Sequence, residues 1–532
     1  RRRTTMAIQV MTGPPVSAPR AGSKRKIYLA MSGVLIAMLL GMLDNMIVGT
    51  AMPRIVGELG GLAHFSWVVT GYVLASTIAA PLWGKVGDMF GHKRTFMTAI
   101  VLFLAASMLS GMSQNMGQLI GFRAIQGLGA GGLMVGALSI IGVLVPPRER
   151  GRYQGLLAAV MPVAMIGGPL LGGFITDNLS WRWAFYVNLP LGILALAVIA
   201  VTMKLPRVRT QHRVDYRGAA LLSIGVTTLV LIASWGGTQY AWGSAQIIGM
   251  AVVGIAALIG FVFVERCAAE PILPLSLFRN RNFVVVSTLG FLLGFALFGA
   301  TTFLPQFQQI VQGASATNSG LLLTPLMLAA MLVSLASGQV ITRTGRYRFF
   351  PIAGGALMAV GMYLLSTMDA STSRTLSAIY MVVLGLGMGA LMNVVNLIAQ
   401  NSVSQDNLGV ASSSATFFRQ IGGSFGTSIF GAIFASELGN RLQRSLGAAG
   451  RALTSSQGTL APGKLTALPN AVHQAYIDGV AHAMGSVFTV GAVMTAIAFL
   501  VALLIKEVPL RGSNDTGTTE SAEQPAPQLA AV

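Results

Sequence analysis

The chain has 532 residues, of which 54% are hydrophobic and only 10% are charged. Soluble domains carry about 25% charged residues, so these few charges could not cover a water-facing surface. The apolar residues occur in blocks of roughly 20, the length that spans ~30 Å of hydrocarbon. The sequence therefore predicts an all-α polytopic membrane protein, whose net charge of +19 comes from basic loops and needs no nucleic-acid partner. The single cysteine, Cys267, excludes an intrachain disulfide and a cysteine-based metal site.

Fourteen apolar blocks are long enough to be membrane spans. They cover residues 27–49, 65–83, 94–112, 119–143, 153–176, 183–203, 218–235, 245–265, 283–305, 319–341, 350–367, 375–398, 414–436 and 481–505. An even number of spans places both termini on the same side of the membrane. Of the 35 Lys and Arg residues, 26 lie in one set of alternate loops and tails, 7 lie in the other set, and Arg123 and Arg419 lie inside spans. Because cytoplasmic loops are enriched in Lys and Arg, both termini are predicted to be cytoplasmic.

The sequence also contains an internal repeat. Residues 125–134 align with 383–392, and residues 84–91 align with 338–345, at offsets of 258 and 254. These offsets exceed the length of one six-span bundle, and the seventh and eighth spans account for the difference. Two parallel six-helix bundles are typical of transporters that bind substrate between the halves, near the middle of the membrane. The predicted domains are a disordered cytoplasmic tail (1–26), an N-terminal six-helix bundle (27–203), a linker with two extra helices (204–282), a C-terminal six-helix bundle (283–505) that includes an external loop (437–479), and a second disordered cytoplasmic tail (506–532).

A glycine-rich basic motif follows the second predicted span. Its glycines, Gly84 and Gly91 among them, permit a tight turn. Asp88 can cap the following helix or pair with a cation, and Lys93 and Arg94 favour the anionic cytoplasmic leaflet. The motif resembles the loop after the second helix in the major facilitator superfamily. The resemblance implies a topology anchor and conformational latch that binds no ligand.

The fifth predicted span carries a small-residue motif formed by Gly155, Gly168, Pro169, Gly172 and Gly173. Small residues let helix backbones approach closely, and proline bends a helix. We therefore expect a hinge or an interface, in which Gly168 and Gly172 allow the two halves to approach each other. The pattern resembles the motif that distinguishes exporters from importers in the same superfamily.

Further segments narrow the resemblance to one branch of this superfamily. They are residues 123–129, 181–190, 235–242, 270–275 and 419–423. Over nearly all of residues 26–506, the chain resembles the fourteen-helix drug:proton antiporter family. The resemblance implies a proton-driven antiporter that exports small amphipathic or hydrophobic compounds, such as drugs, dyes and antibiotics, by alternating access. It also implies a monomer that needs no cofactor or metal. Its partners would be a small-molecule substrate, protons and the lipid bilayer of a bacterial cytoplasmic membrane.

Two alternatives to multidrug export stay open. The chain could export a single natural product or a lipid, or it could be a non-transporting sensor on the same fold. A sensor would need neither the exporter motif nor a carboxylate inside the membrane. Three enzyme-like patterns, at residues 458–464, 127–132 and 422–426, lack the structural context that a phosphate loop, a dinucleotide site or a nucleophile elbow requires. The chain is therefore not expected to be an enzyme.

Charged side chains inside the spans are the candidates for proton coupling, because a charge in hydrocarbon costs ~2.5–3.5 kcal/mol. Asp44 is the only carboxylate well inside a predicted span. Arg123 lies at a similar depth, since both residues are ~6–8 Å from the outer end of their spans at 1.5 Å per residue. We expect them to form either a proton-coupling pair or a fixed structural ion pair. Arg419 lies in the inner half of the thirteenth span, where helix-end carbonyls, phosphate headgroups and Asp88 are candidate partners.

The predicted substrate pocket is apolar. Spans nine to fourteen contain no carboxylate well inside the hydrocarbon, which favours neutral or monovalent substrates. Such substrates would be held mainly by aromatic and methionine contacts. The candidate residues are Trp67, Tyr72, Phe298, Phe303, Phe307 and Met392.

Overall fold

The computed structural model describes residues 24–59, 65–203, 215–236, 240–268, 271–314, 318, 321–404, 407–447 and 469–510. Most of both predicted tails, and residues 448–468 of the predicted external loop, lie outside this part of the chain. The described residues form helices joined by short turns, with an isolated bridge between Gly236 and Tyr240. Their secondary structure is therefore all-α, as predicted.

Seven of the described helices build the N-terminal half. They are α1 (Lys24–Leu59), α2 (Phe65–Phe90), α3 (His92–Gly111), α4 (Met116–Leu144), α5 (Pro147–Asn178), the short α6 (Trp183–Tyr186) and α7 (Asn188–Thr202). Local chemistry sets several helix ends. The Asn115 side chain caps α4 by accepting a hydrogen bond from the Gln118 amide at 2.9 Å, and Pro147 starts α5. α6 and α7 together form the sixth apolar segment.

Two extra helices, α8 (Tyr216–Trp235) and α9 (Ala245–Cys267), follow the N-terminal half. The C-terminal half contains α10 (Arg281–Ile310), α11 (Thr324–Thr344), α12 (Phe349–Ser366), α13 (Arg374–Asn401), α14 (Leu408–Leu446) and α15 (Asn470–Leu503). Short polar side chains begin four of these helices. Asp215, Ser244, Asn280 and Ser373 accept hydrogen bonds from first-turn amides of α8, α9, α10 and α13.

Thirteen of the described helical segments are long and apolar enough to cross a membrane. The fourteenth is α14, which is more polar because it contains a run of serines and Arg419. The predicted all-α polytopic fold with fourteen transmembrane helices is thus confirmed. The predicted external loop 437–479 is shorter than expected, because α14 continues to Leu446 and α15 begins at Asn470.

Each half has its own apolar core. In the N-terminal half, α4 packs against α2 and α3, and α1 packs against α5 and α7. In the C-terminal half, α14 packs against α10, and α12 packs against α13 and α15. The extra helices α8 and α9 pack on each other, and α8 also contacts α2 and α14. They therefore lie against the seam between α2 and α14.

The two halves meet along α2 and α14 and along α5 and α11. The helix ends near residues 85–94, 144–152 and 343–348 carry basic residues, and we call this the basic end of the bundle. The sequence predicts that this end faces the cytoplasm.

Candidate functional site

A buried ion pair joins α1 to α4. Arg123 Nη1 donates to Asp44 Oδ2, and both side chains have an exposed fraction of 0%. The structure therefore brings together the two charges that the sequence predicts to pair. Opposite charges in direct contact offset part of the cost of removing each from water.

The second oxygen of Asp44 is also hydrogen-bonded. Its Oδ1 accepts from Gln126 Nε2 at 2.9 Å and from Asn188 Nδ2 at 2.7 Å. Asn188 Nδ2 also donates to Ser107 Oγ at 2.9 Å, and Ser107 donates to the Phe185 carbonyl. Both carboxylate oxygens thus have donors, as an ionised buried carboxylate requires.

Arg123 makes several contacts besides the ion pair. Its Nη2 donates to Asn45 Oδ1 at 3.0 Å, and its Nη1 donates to Gln126 Oε1 at 3.0 Å. Its guanidinium carbon lies 4.1 Å from the centre of the Tyr72 ring, a cation–π distance. The arginine is therefore held in one orientation by groups from three helices.

Sequence reasoning missed four polar members of this network. Gln126 follows Arg123 by three residues, which places both on one helix face, and Asn45 is adjacent to Asp44. Asn188 belongs to a segment, 181–190, that served only as a family marker. No sequence feature pointed to Ser107 as a member of the network, because a serine in an apolar helix commonly bonds to its own backbone.

Asp88 joins the two halves at the basic end. Its Oδ1 accepts from the Gly409 amide at 2.8 Å and its Oδ2 accepts from the Val410 amide at 2.9 Å. His92 Nε2 lies 3.4 Å from Asp88 Oδ1. Of the two roles expected for Asp88, the cap on the following helix is wrong, because α3 has no side-chain cap and Asp88 caps α14 instead. The other role, pairing with a cation, stays a prediction. A carboxylate at a helix N-terminus is favourable because unpaired amides and the helix dipole meet it there.

The other residues of the 84–94 motif shape the same region. A Cβ atom added at Gly84 would lie 2.6 Å from the Gly409 carbonyl oxygen, so only glycine lets α2 and α14 approach this closely. Gly91 has φ of 94° between α2 and α3, a backbone conformation that favours glycine. Lys93 Nζ donates to the Ala200 carbonyl at 2.8 Å, near the end of α7. Arg94 is exposed.

Polar side chains join the halves near Asp88. Gln400 Nε2 donates to the Leu138 carbonyl at 3.0 Å and to Ser412 Oγ at 2.8 Å, and Gln154 Nε2 lies 3.4 Å from Gln400 Oε1. A Cβ atom added at Gly155 would lie 3.1 Å from the Ser334 carbonyl oxygen. In this structure the halves are therefore closely joined at the basic end.

The remaining glycines of the fifth-helix motif have a different location from the one expected. A Cβ atom at Gly168 would collide with Met46, and one at Gly172 would collide with Thr50. Both contacts lie between α1 and α5, inside the N-terminal half. The expectation that Gly168 and Gly172 lie between the two halves is therefore wrong, and of this motif it is Gly155 that fills that role. Gly173 faces open space, and the side chain of Pro169 is outside the described part of the chain.

The six predicted pocket residues lie in different surroundings. Phe303 packs against Phe430 and Phe434, and Phe307 is fully buried in the core of the C-terminal half. Tyr72 is also buried, in the core of the N-terminal half beside Arg123. The Trp67 ring stacks edge-on against Trp235 at 5.2 Å, while Phe298 is 39% exposed and Met392 is partly buried. Their assignment to a substrate pocket stays a prediction.

Arg419 is 7% exposed within α14. Its side chain forms no hydrogen bond or ion pair with any residue in the described part of the chain. Asp88, one of its predicted partners, is instead bound to the amides of Gly409 and Val410.

Two helical halves that meet along a seam, with a buried carboxylate in one of them, are typical of a membrane transporter. A model described as Major Facilitator Superfamily matches residues 34–427, well over half of the chain. The chain therefore belongs to the major facilitator superfamily, whose members are transporters of small molecules and not enzymes.

Several known proteins are similar to this chain. A Mycobacterium tuberculosis protein, named as an uncharacterized MFS-type transporter, is 42% identical over 518 residues, which cover 95% of this chain and 74% of that protein. Multidrug transporter protein MdtP of Bacillus subtilis is 40% identical over 427 residues, which cover 80% of this chain and 79% of MdtP. The crystal structure of the human organic anion transporter MFSD10 has a TM-score of 0.62 at 12% identity, covering 89% of this chain and 99% of that one. The similarity to MFSD10 concerns the fold alone.

Proposed function

We propose that the chain is a proton-coupled antiporter that exports small amphipathic or hydrophobic compounds, such as drugs, dyes and antibiotics, across a bacterial cytoplasmic membrane. The observation that carries this proposal is Asp44, a fully enclosed carboxylate in a membrane helix whose counter-charge is Arg123. A carboxylate in hydrocarbon is costly, and such groups commonly serve as proton relays in transporters. Protonation of Asp44 would change the attraction between α1 and α4.

Coupling requires one two-state equilibrium that both the proton and the substrate bias. In the structure, Asp88 and Gln400 hold the halves together at the basic end. With Asp44 ionised, the ion pair also holds α1 against α4. A proton on Asp44 removes this attraction and favours opening of the basic end, where bound substrate in turn favours proton release. Export then follows from the inward flow of protons.

The breadth of substrates is supported by the name of the Bacillus subtilis relative, a multidrug transporter protein. Export of one natural product or lipid is the alternative, and it makes a different prediction. A multidrug exporter moves structurally unrelated dyes at comparable rates, whereas a dedicated exporter moves one compound far better than the others.

The test is dye accumulation in inverted membrane vesicles that contain the full chain. We expect several unrelated dyes to accumulate when the vesicle interior is acidified, and collapse of the pH gradient should abolish accumulation. Asp44→Asn should not accumulate dye. Glu58→Gln changes a half-exposed carboxylate on the same helix and should behave like the unaltered chain. Accumulation without any pH gradient would contradict proton coupling, and accumulation of a single compound would favour dedicated export.

A further inference from the structure

Arg419 differs from the other deeply buried arginines of the described chain. Arg123 is paired with Asp44. Arg150 donates to the Val145 and Gly142 carbonyls. For Arg419, the described residues supply no carboxylate, no carbonyl and no aromatic ring. No group in the described part of the chain therefore compensates its positive charge.

Arg419 lies inside both α14 and the predicted span 414–436. It follows Leu408, the first residue of α14, by eleven positions, which is ~16 Å along the helix, and it lies five residues after the start of the predicted span. A charge at that depth is costly unless it is paired or borders a water-filled cavity.

The register of α13 and α14 places Arg419 at the same level as a predicted pocket residue. Gln400 on α13 bonds to Ser412 on α14, and the two helices run in opposite directions. Arg419 is seven residues beyond Ser412 and Met392 is eight residues before Gln400, so both lie at about the same level. Met392 is partly buried and packs against the C-terminal core.

The side chain of Arg419 is 7% exposed, and none of its nitrogens has a described partner. Two oxygen acceptors on the same pair of helices are also unpaired. They are Oε1 of Gln420, the residue after Arg419, and Oδ1 of Asn396, which lies one turn before Gln400 on α13. An unpaired cation and two unpaired acceptors thus occur on α13 and α14.

We propose that Arg419 binds the anionic group, a carboxylate or its equivalent, of an amphipathic substrate whose apolar part lies against Met392. This inference rests on the proposed export function and names its substrate class. A planar guanidinium matches a carboxylate through two parallel hydrogen bonds. The proton site then lies in the N-terminal half and the anion site in the C-terminal half.

The inference is tested by comparing two probes that differ in charge and by one methyl group, pyrenebutyrate and its methyl ester. Binding to the purified full chain is measured by equilibrium titration in detergent at neutral pH. Hydrogen bonds to a charged group predict that Arg419→Gln weakens pyrenebutyrate binding by about ten- to a hundredfold, with ester binding changed less than about twofold. Arg419→Lys should fall between, because it keeps the charge without the planar fork. Arg346→Gln removes an exposed arginine at the basic end and should change neither affinity.

Three other outcomes overturn the inference. Equal losses for both probes in Arg419→Gln would assign Arg419 a structural role, and unchanged binding of pyrenebutyrate would remove it from the site. If chloride competes with pyrenebutyrate at similar concentrations, the site holds any small anion and not the substrate. Transport in inverted vesicles separates the two proposals: binding of pyrenebutyrate through Arg419, without proton-driven transport of any probe, would support the anion site and contradict export.

Discussion

Asn188 Nδ2 donates to Asp44 Oδ1 at 2.7 Å, which ties the first residue of α7 to the middle of α1. The same nitrogen contacts Ser107 on α3, and Arg123 adds α4. The carboxylate therefore lies where four helices of the N-terminal half meet. A change in its charge acts on the packing of all four, which makes Asp44 a suitable point for coupling protonation to conformation.

Two substitutions of Arg123 should distinguish the effect of its positive charge from the effect of its planar, forked shape. Arg123→Ala leaves Asp44 buried without a counter-charge, a change that costs about 3–5 kcal/mol. Arg123→Lys keeps the charge but loses the fork that reaches both Asp44 and Asn45. We expect the alanine variant to lose both thermal stability and efflux, and the lysine variant to keep most of its stability with partial efflux. Equal efflux by the two variants would show that the charge of Arg123 is not needed.

Asp88 should control opening of the basic end. Asp88→Ala removes the acceptors of two amides of α14, a loss of about 1 kcal/mol for a helix cap. The readout is thiol labelling of a cysteine at the buried position Ser412, in a chain whose Cys267 is replaced by serine. We expect faster labelling in Asp88→Ala than in the parent.

The matched control for this experiment is Asp369→Ala. Asp369 is exposed, and hydrogen bonds from Ser371 and Thr372 hold its pKa below the ordinary value, so it too is charged at neutral pH. Asp369→Ala should leave the rate of thiol labelling at Ser412→Cys unchanged. Similar acceleration by both substitutions would mean that overall charge, and not the cap on α14, sets the labelling rate.

Two glycines of the fifth helix form a natural comparison. Gly168→Leu would force side-chain atoms into Met46, two residues after Asp44, whereas Gly173 has open space around it. Overpacking costs about 1–3 kcal/mol, so we expect Gly168→Leu to insert into the membrane but to lose most efflux, and Gly173→Leu to keep it. Protein level in the membrane and dye efflux are measured together. Normal efflux by a well-expressed Gly168→Leu chain would show that close α1–α5 packing is not needed for transport.

The sequence predicted the helices well because each apolar block has a length that the bilayer determines. It located the helix ends less well. α1 continues to Leu59, ten residues past the predicted end, and α4 begins at Met116. Arg123 therefore lies ~10 Å from the start of its helix, although its predicted span begins only four residues before it. Polar residues beyond the hydrocarbon can continue a helix without any hydropathy signal.

The partners of Asp88 and Gly168 could not be predicted from local patterns. Asp88 binds amides 321 and 322 positions away, and its own motif offers a nearby helix that the side chain does not cap. Gly168 predicts that another helix packs closely against α5, but it does not indicate which helix. By contrast, Asp44 and Arg123 could be paired from sequence, because each is a rare charge in an apolar span and their depths agree.

The acidic residues of the C-terminal half limit the charge that a substrate can carry. The described α10 to α15 bury no carboxylate, so nothing there would balance two positive charges on a substrate. We expect resistance to neutral and monovalent drugs in a hypersusceptible host, with no resistance to dicationic biocides. Growth inhibition by matched mono- and dicationic compounds is the measurement. Resistance confined to the dicationic compounds would contradict this prediction.

The coupling role of Asp44 gives the sharpest prediction. Asp44→Asn keeps the size of the side chain and cannot ionise, so the proton site is lost. One of its two terminal atoms becomes an N–H₂ donor, so either Arg123 or the pair of Gln126 and Asn188 must rearrange. We expect the variant to fold and to bind substrate, to lose uphill export driven by a pH gradient, and to keep part of its substrate exchange down the substrate's own gradient. A fixed structural ion pair would instead predict that export and exchange fall together.

The decisive measurement is proton release on substrate addition to the purified protein in weakly buffered detergent solution. The unaltered chain should release protons when substrate binds, because the substrate-bound state favours ionised Asp44. Asp44→Asn should release none, and Glu58→Gln, whose half-exposed carboxylate lies on the same helix, should release as many as the unaltered chain. Undiminished release from Asp44→Asn would place the proton site on another residue and leave Asp44 and Arg123 as a structural ion pair.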